Sequence, residues 1–497
     1  MDTVTILCSI GFIHCVLFFF NTVFKSCCHY PYLLFLKKTG IDVKFLVLQW
    51  VTPCLNRPLQ KWGIWRPRFL QWWFSLGTIA TVLLLPFAII LLARTIINEL
   101  KQRLSTEPHD PSILDTVVIV PGYNLPLSDF AYYGITLLLC TFFHEIGHAV
   151  AAVREDVHIH GTGFSLFFIL PAAYVYLDTS QLNALAPSRK LRVLCAGVWH
   201  NIVLALYALL VLLVLPFVYQ PFYIYGEGVY VTDISPDSSA LGPTGLRNYD
   251  VITALNECSV SNSASWKKCL LESLRNPTPG YCISAEFVRE NDESIADHPG
   301  VGGVVECCSK EASALGRLCF QLVDDSGGPV ALPELSCLSA RELIESGNEL
   351  CATQSLNSCV SPLHCLRPTI GNYTKLVTIH RSRGQVVLFL GNPAEIYQTV
   401  KVSDYIPRWD KCDPLIPQVV ETFTKYIYLL SSGLAIANVL PVFFFDGQHI
   451  SSVLCDLLLA KHVKDSSTRL AISLCLNVLG TLLLLTGVLM PFLLKYV

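Results

Sequence analysis

The sequence predicts a polytopic α-helical membrane protein of about six spans, with a re-entrant segment and an inserted lumenal domain rich in β-structure and cysteine. Three observations carry that fold class. Charged residues are 15% of the 497, against about 25% in an average soluble chain. Windows long and apolar enough to span a bilayer occur at Thr3–Phe24, Trp72–Ile97, Phe130–Val153, Leu191–Tyr219, Phe423–Phe445 and Leu470–Leu494. Eleven of the 20 cysteines fall between Cys258 and Cys412, in the one long polar interval. The net charge of −3 gives no electrostatic footprint for nucleic acid.

The first window is too long for the apolar region of a signal peptide, and Lys25 follows it without a small-residue cleavage site. It is expected to stay as an anchor. After it come Lys37, Lys38, Lys44, Arg57, Lys61, Arg66 and Arg68 against Asp42 alone. Positive residues stay in the cytosol. Residues 1–70 therefore read as an anchor span and a basic segment on the cytosolic membrane face, with Trp50, Pro53, Trp62 and Trp65 at the interface. Residues 71–219 read as membrane core. His144 then lies on a helix running from lumen to cytosol, and Arg154, Arg189, Lys190 and Arg192 fall on the cytosolic side. Residues 220–420 come out lumenal. Residues 421–497 complete the membrane core, with Lys461, Lys464 and Arg469 again cytosolic.

The apolar stretch Gly161–Asp178 is interrupted by Gly161, Gly163 and Pro171 and is too short for a straight span. It reads as a re-entrant hairpin covered by protein, or as a surface loop with an apolar side. In the lumenal interval, Val229, Val231 and Asp233 alternate with Tyr230, Thr232 and Ile234 as in a strand. A Pro-Asp turn, a short helix from Ser238 and a strand near Val251–Leu255 follow. Leu376–Ile379 and Gln385–Leu390 read as further strands. The cysteine density predicts disulfides in an oxidising lumen, and because the count is odd at least one thiol is left over or pairs elsewhere. Zinc held by these cysteines is the alternative, and the absence of Cys-x-x-Cys pairs speaks against it. Asn372-Tyr373-Thr374 is an N-glycosylation sequon.

Chemistry concentrates at His144-Glu145-Ile146-Gly147-His148. On a helix, residues four apart share a face. Both imidazoles then reach one zinc ion, and Glu145 points toward the metal's water. Ionisable groups inside a bilayer cost about 2.5–3.5 kcal/mol each on insertion scales, so they are rare unless functional. A catalytic zinc needs a third protein ligand. Asp446 offers one, in the apolar run Ala437–Ile450 that Pro441 breaks; His449 is a rival on the same segment. Gly447 is read as allowing close helix approach. Asn201, in an apolar helix, binds substrate backbone or an oxyanion, or else joins helices by a hydrogen bond; His200 reads as structural.

His144-Glu-Ile-Gly-His148, followed much later by Asn438-x-x-Pro441-x4-Asp446-Gly447, resembles the site-2 protease family of intramembrane zinc metalloproteases. Pro121-Gly-Tyr-Asn-Leu-Pro-Leu-Ser128, Cys195-Ala-Gly-Val-Trp-His-Asn201 and the Cys-rich insertion resemble its animal members in particular. The resemblance implies His144, His148 and Asp446 as zinc ligands and Glu145 as catalytic base. It places Asn201 and Asn438 near the cleft and makes the lumenal strands a PDZ-like domain. Leu246-Arg-Asn-Tyr-Asp250 departs from that pattern, lacking the glycine often found before the aspartate. Golgi or endoplasmic reticulum membranes are implied as the location. The implied partners are membrane lipid and single-span substrates such as sterol regulatory element-binding proteins, with an activating factor of the unfolded-protein response, hence roles in cholesterol metabolism and transcription factor activation.

The expected reaction is peptide hydrolysis in or near a transmembrane segment, releasing a cytosolic fragment. Arg154 lies six residues past His148, about 9 Å along a helix, so the metal is expected near the cytosolic face. A helical substrate must unwind to present its carbonyls, and the 161–178 segment offers an edge strand to hold it. A zinc or proton transporter using intramembrane His and Asp is the alternative. A catalytically dead scaffold fits less well, because Glu145 and all three ligands are kept.

Overall fold

A backbone in lipid must satisfy its own hydrogen bonds, and five of the six apolar windows do so as helices long and apolar enough to cross a membrane: Cys8–Cys27, Pro67–Asn98, Phe130–Arg154, Pro187–Tyr219 and Ser466–Leu489. This computed structural model describes residues 3–104 and 130–493, except 243, 296–297, 300–304, 324–331, 348–349, 352–358, 361, 372 and 410. Pro121–Ser128 and the sequon residue Asn372 lie outside the described residues. The chain forms two compact units, residues 1–215 with 421–497, and residues 216–420.

In the membrane unit the remaining window, Phe423–Phe445, divides at the break expected from Pro441. It is not one helix. A helix runs Leu415–Val439 and stops before Pro441, and a second starts at Asp446 and runs to Leu459. Pro441 has no N–H to continue the ladder. The freed backbone finds other partners: Val442 N–H donates to the Leu440 carbonyl at 2.8 Å, and Phe443 N–H to Thr481 Oγ1 at 3.2 Å on the last helix.

The Gly161–Asp178 stretch is a β-hairpin and not an irregular loop. Its strands β3 (Ile159–Phe167) and β4 (Leu170–Leu177) extend a sheet begun by β1 (Ile41–Lys44) and β2 (Val47–Thr52), in the order β1-β2-β3-β4, all antiparallel. Part of the basic N-terminal segment is thus built into the same sheet. β4 pairs with β3 along one edge, and its other edge faces the helix Phe130–Arg154.

In the 216–420 unit, the strand expected around Val229 spans Tyr223–Ile234. Along it Val229, Val231 and Ile234 are buried and Asp233 is exposed, so burial departs from the strict alternation read from the sequence. A register shift opposite Asp233 and Val231 flips the alternation there. The helix expected from Ser238 is instead a run of turns. Strands Val251–Leu255, Lys375–Arg381 and Val387–Gly391 appear where the sequence placed them. They share a sheet whose core includes Ile252, Leu255, Val377 and Ile379, closed by Trp266 and Leu270 of the helix Ser263–Arg275. Tyr249 occupies the place of the missing glycine, and its φ is +78°. A left-handed backbone there explains why glycine suits that position.

The insertion makes its own five-stranded antiparallel sheet around Phe320, Leu338 and Leu366. Five disulfides pair Cys258–Cys269, Cys282–Cys359, Cys307–Cys319, Cys308–Cys337 and Cys351–Cys365. Cys412 is the thiol left over. Alkylation of the native protein without reductant, read by peptide mass spectrometry, should therefore label Cys412 and none of the other ten cysteines between Cys258 and Cys412.

Candidate metal centre

The motif helix Phe130–Arg154 buries one face, which carries His144, Gly147, His148, Ala151 and Ala152. That face packs on the helix Pro187–Tyr219, where Cys195, Ala196 and Gly197 are buried in turn. Small residues let the two backbones approach. A Cβ on Gly147 would stand 2.6 Å from the Ala196 carbonyl oxygen, and one on Gly197 would collide with the Nε2 atoms of both His144 and His148. The space in front of the two imidazoles therefore exists because residue 197 has no side chain.

Asp446 arrives from the far end of the chain, as the first residue of its helix. Its helix starts tightly against the preceding break: a Cβ on Gly447 would collide with the Leu440 carbonyl, and one on Gly480 with the Pro441 carbonyl. Leu440, Val442 and Ile450 join Leu194, Cys195 and Val198 in one buried cluster, which locks the broken segment onto the Pro187–Tyr219 helix. As a result Asp446 Oδ2 lies 3.0 Å from His144 Nε2 and 3.1 Å from His148 Nε2, and the two Nε2 atoms are 3.1 Å apart.

Three donor atoms in so small a triangle fit one face of a metal tetrahedron. Bonds of about 2.0–2.1 Å from zinc to nitrogen and oxygen set donors roughly 3.3 Å apart. The donor set of two imidazoles and one carboxylate is one that zinc accepts in hydrolytic sites. The Asp446 side chain is 22% exposed and each histidine 8%, so a fourth position is approachable from the carboxylate side.

The groups behind the imidazoles agree. His148 Nδ1 is 2.8 Å from the Val193 carbonyl. A carbonyl only accepts, so Nδ1 carries the proton and Nε2 has the free lone pair. His144 Nδ1 faces the Asn201 amide at 3.1 Å, while Asn201 Oδ1, fully buried, has no hydrogen-bond partner. Turning the amide about resolves both facts: Oδ1 then accepts from Nδ1–H, and His144 Nε2 is free to ligate. Asn201 thus joins two helices by a hydrogen bond, the second of the roles read from the sequence, and its partner is one of the two imidazoles of the triangle.

Glu145 points to the neighbouring side of the helix. Its Oε2 accepts the Val175 N–H of β4 at 2.9 Å. One turn earlier, Thr141 Oγ1 accepts the Ala173 N–H at 3.1 Å. Residues i and i+4 on the helix thereby match i and i+2 on the strand. Asn438 is half-buried near the end of the helix Leu415–Val439. His449 is exposed and outside the ligand group. His200 has its Nδ1 3.3 Å from the Phe143 carbonyl and its ring stacked on Phe74, a structural place as expected. Sequence reasoning missed Gly197, Thr141 and Val175. The run of small residues Cys195-Ala-Gly197 was the available signal for the first; backbone donors leave none.

Just past the motif helix, Glu155 is 3% exposed and accepts from Arg189 Nε at 2.6 Å and Arg192 Nε at 2.7 Å. Burial by itself raises its pKa, but hydrogen bonds from Arg192 and Arg189 outweigh this and hold the carboxyl below its ordinary 4.5. A depressed carboxylate stabilises the fold fully above its unfolded pKa, and that contribution is lost as pH falls through the lower folded value. Glu155→Gln should lower the melting temperature at pH 7 and flatten its decline below pH 4.5. Metal analysis offers two more expectations. Gly197→Ala should strip the purified protein of zinc while its circular dichroism stays unchanged. Asn201→Leu should weaken zinc affinity by about 10–100-fold, read by competition with a chelator.

With this geometry in place, comparison with known proteins is direct. The family model Peptidase_M50, peptidase family M50, matches residues 132–482. The chain is 25% identical over 452 residues to the membrane-bound transcription factor site-2 protease homolog of Arabidopsis thaliana, covering 80% of this chain and 82% of that protein. A match over most of the chain, enclosing both the HEIGH helix and Asp446, makes this multi-pass membrane protein a metalloprotease of peptidase family M50, the site-2 protease family.

Proposed function

We propose that this protein is an intramembrane zinc endopeptidase. It hydrolyses a peptide bond in or near the transmembrane segment of membrane-anchored transcription factors and releases a cytosolic fragment. One observation carries the reading: His144, His148 and Asp446 converge within 3.1 Å, with Glu145 beside them. Zinc, when bound, would supply a Lewis acid and lower the pKa of its water to about 7. His144 and His148 hold it through Nε2, with their tautomers fixed by Asn201 and the Val193 carbonyl. Glu145 takes a proton from the attacking water and delivers it to the leaving amine nitrogen.

β4 supports a way of holding the unwound substrate. Among the described residues it has a strand partner on one side only, and its outward N–H groups at Ala173 and Val175 go to the side chains of Thr141 and Glu145. Substrate carbonyls replace those acceptors when an extended peptide adds to the edge. The family resemblance supports a place for Asn438 near the cleft. The name of the Arabidopsis relative supports membrane-bound transcription factors as the substrate class, and sterol regulatory element-binding proteins are the specific candidates. The disulfides of the 216–420 unit support a lumenal, oxidising side for it, in the Golgi or endoplasmic reticulum, with the six-stranded sheet as a PDZ-like fold. Glycosylation of Asn372 belongs to the same reading.

A zinc or proton transporter would not need Glu145 as a base. Purified protein should cleave a single-span substrate, and Glu145→Gln should slow this by at least about 100-fold without loss of zinc. Metal transport persisting in that variant, with no proteolysis by the wild type, would overturn the proposal.

A further inference from the structure

Four helices of the membrane unit line a partly open cavity of about 320 Å3. Its wall includes Leu92 of the Pro67–Leu104 helix, Tyr133 and Leu137 of the motif helix, Leu434 of the Leu415–Val439 helix, Phe445 of the break and Leu484 of the last helix. Thr95 also lines it, but its hydroxyl donates to the Leu91 carbonyl at 2.8 Å. The wall is otherwise aliphatic or aromatic carbon, with only the Tyr133 hydroxyl besides. A buried water needs two to four polar partners, and this surface does not supply them along its length.

Packed interiors hold few voids larger than a water molecule. An apolar cavity of about 150 Å3 stays dry and takes up benzene, and this one is twice that size. An apolar guest therefore fills it. The surrounding solvent at this depth is hydrocarbon. An acyl chain is the slender apolar group that this solvent supplies.

We propose that the cavity binds one acyl chain of a membrane lipid, inserted between the motif helix and the broken helix. The guest packs on Leu137, seven residues before His144, and on Leu440 and Phe445, which flank the break that delivers Asp446. One lipid chain thus supports both halves of the metal centre. This inference is independent of the proteolytic reading.

Full-length protein in phosphatidylcholine vesicles whose acyl chains carry a photoactivatable diazirine tests it. Cross-links mapped by mass spectrometry should concentrate on Leu137, Leu434 and Phe445 over the outward-facing Leu206, Leu210 and Leu213, which are exposed on the Pro187–Tyr219 helix. Ala88→Phe and Leu91→Trp, two separate plugs of the cavity, should each lose the cavity cross-links and keep the outward ones. Cross-links spread evenly over cavity and outward residues, or cavity cross-links surviving in both folded plug variants, would overturn the proposal. So would their removal by a single-span substrate peptide added to the non-cleaving Glu145→Gln protein, which would assign the cavity to substrate.

Discussion

Three lone-pair donors from two distant parts of the chain point at one spot. Two come from consecutive turns of one helix, and the third comes 298 residues after His148. Neutral imidazole nitrogens and a carboxylate oxygen do not gather at 3.0–3.1 Å for their own sake, least of all where hydrocarbon replaces water. A cation makes the arrangement favourable. Much of the membrane unit can be understood as what is needed to keep that triangle: small residues where helices must touch, a fixed tautomer behind each imidazole, and a helix that stops at the right depth.

The stopped helix is the costly part. An unbroken helix through residues 423–445 would satisfy its backbone, but the segment bends at Pro441 so that Asp446 opens a new helix. Carboxylates suit helix N-termini, where the free N–H groups carry partial positive charge. The break is tolerated because neighbours make room and supply partners. Gly447 and Gly480 accept the Leu440 and Pro441 carbonyls against bare backbone, and Thr481 takes the Phe443 N–H. Residual strain stays at Phe444, whose φ is +72° although its side chain is wholly exposed.

Glu145 shows a different economy. The same helix that offers two imidazoles to one side offers Thr141 and Glu145 to the edge of β4. An exposed strand edge is a hazard in any protein, and here the motif helix covers it with the side-chain acceptors of Thr141 and Glu145. Glu145 and the two imidazoles are thereby placed by a single element, so their positions relative to one another follow from helix geometry rather than from loops.

The sequence by itself determined the ingredients. Apolar runs marked the helices because lipid demands length and hydrophobicity, H-E-x-x-H marked one face of a helix because its period is fixed, and cysteine density marked a stapled domain. Those are local or compositional signals. The sequence placed a break at Pro441 but did not decide that Asp446 opens a new helix beyond it, that Gly161–Asp178 pairs with a strand more than a hundred residues earlier, or that Asn201 stands behind His144. Nor did it show that Gly197 clears the metal position or that Val175 holds Glu145. Each of these depends on which backbones come close, and closeness between distant segments is set by the packing of small residues and buried clusters that only the folded chain brings together.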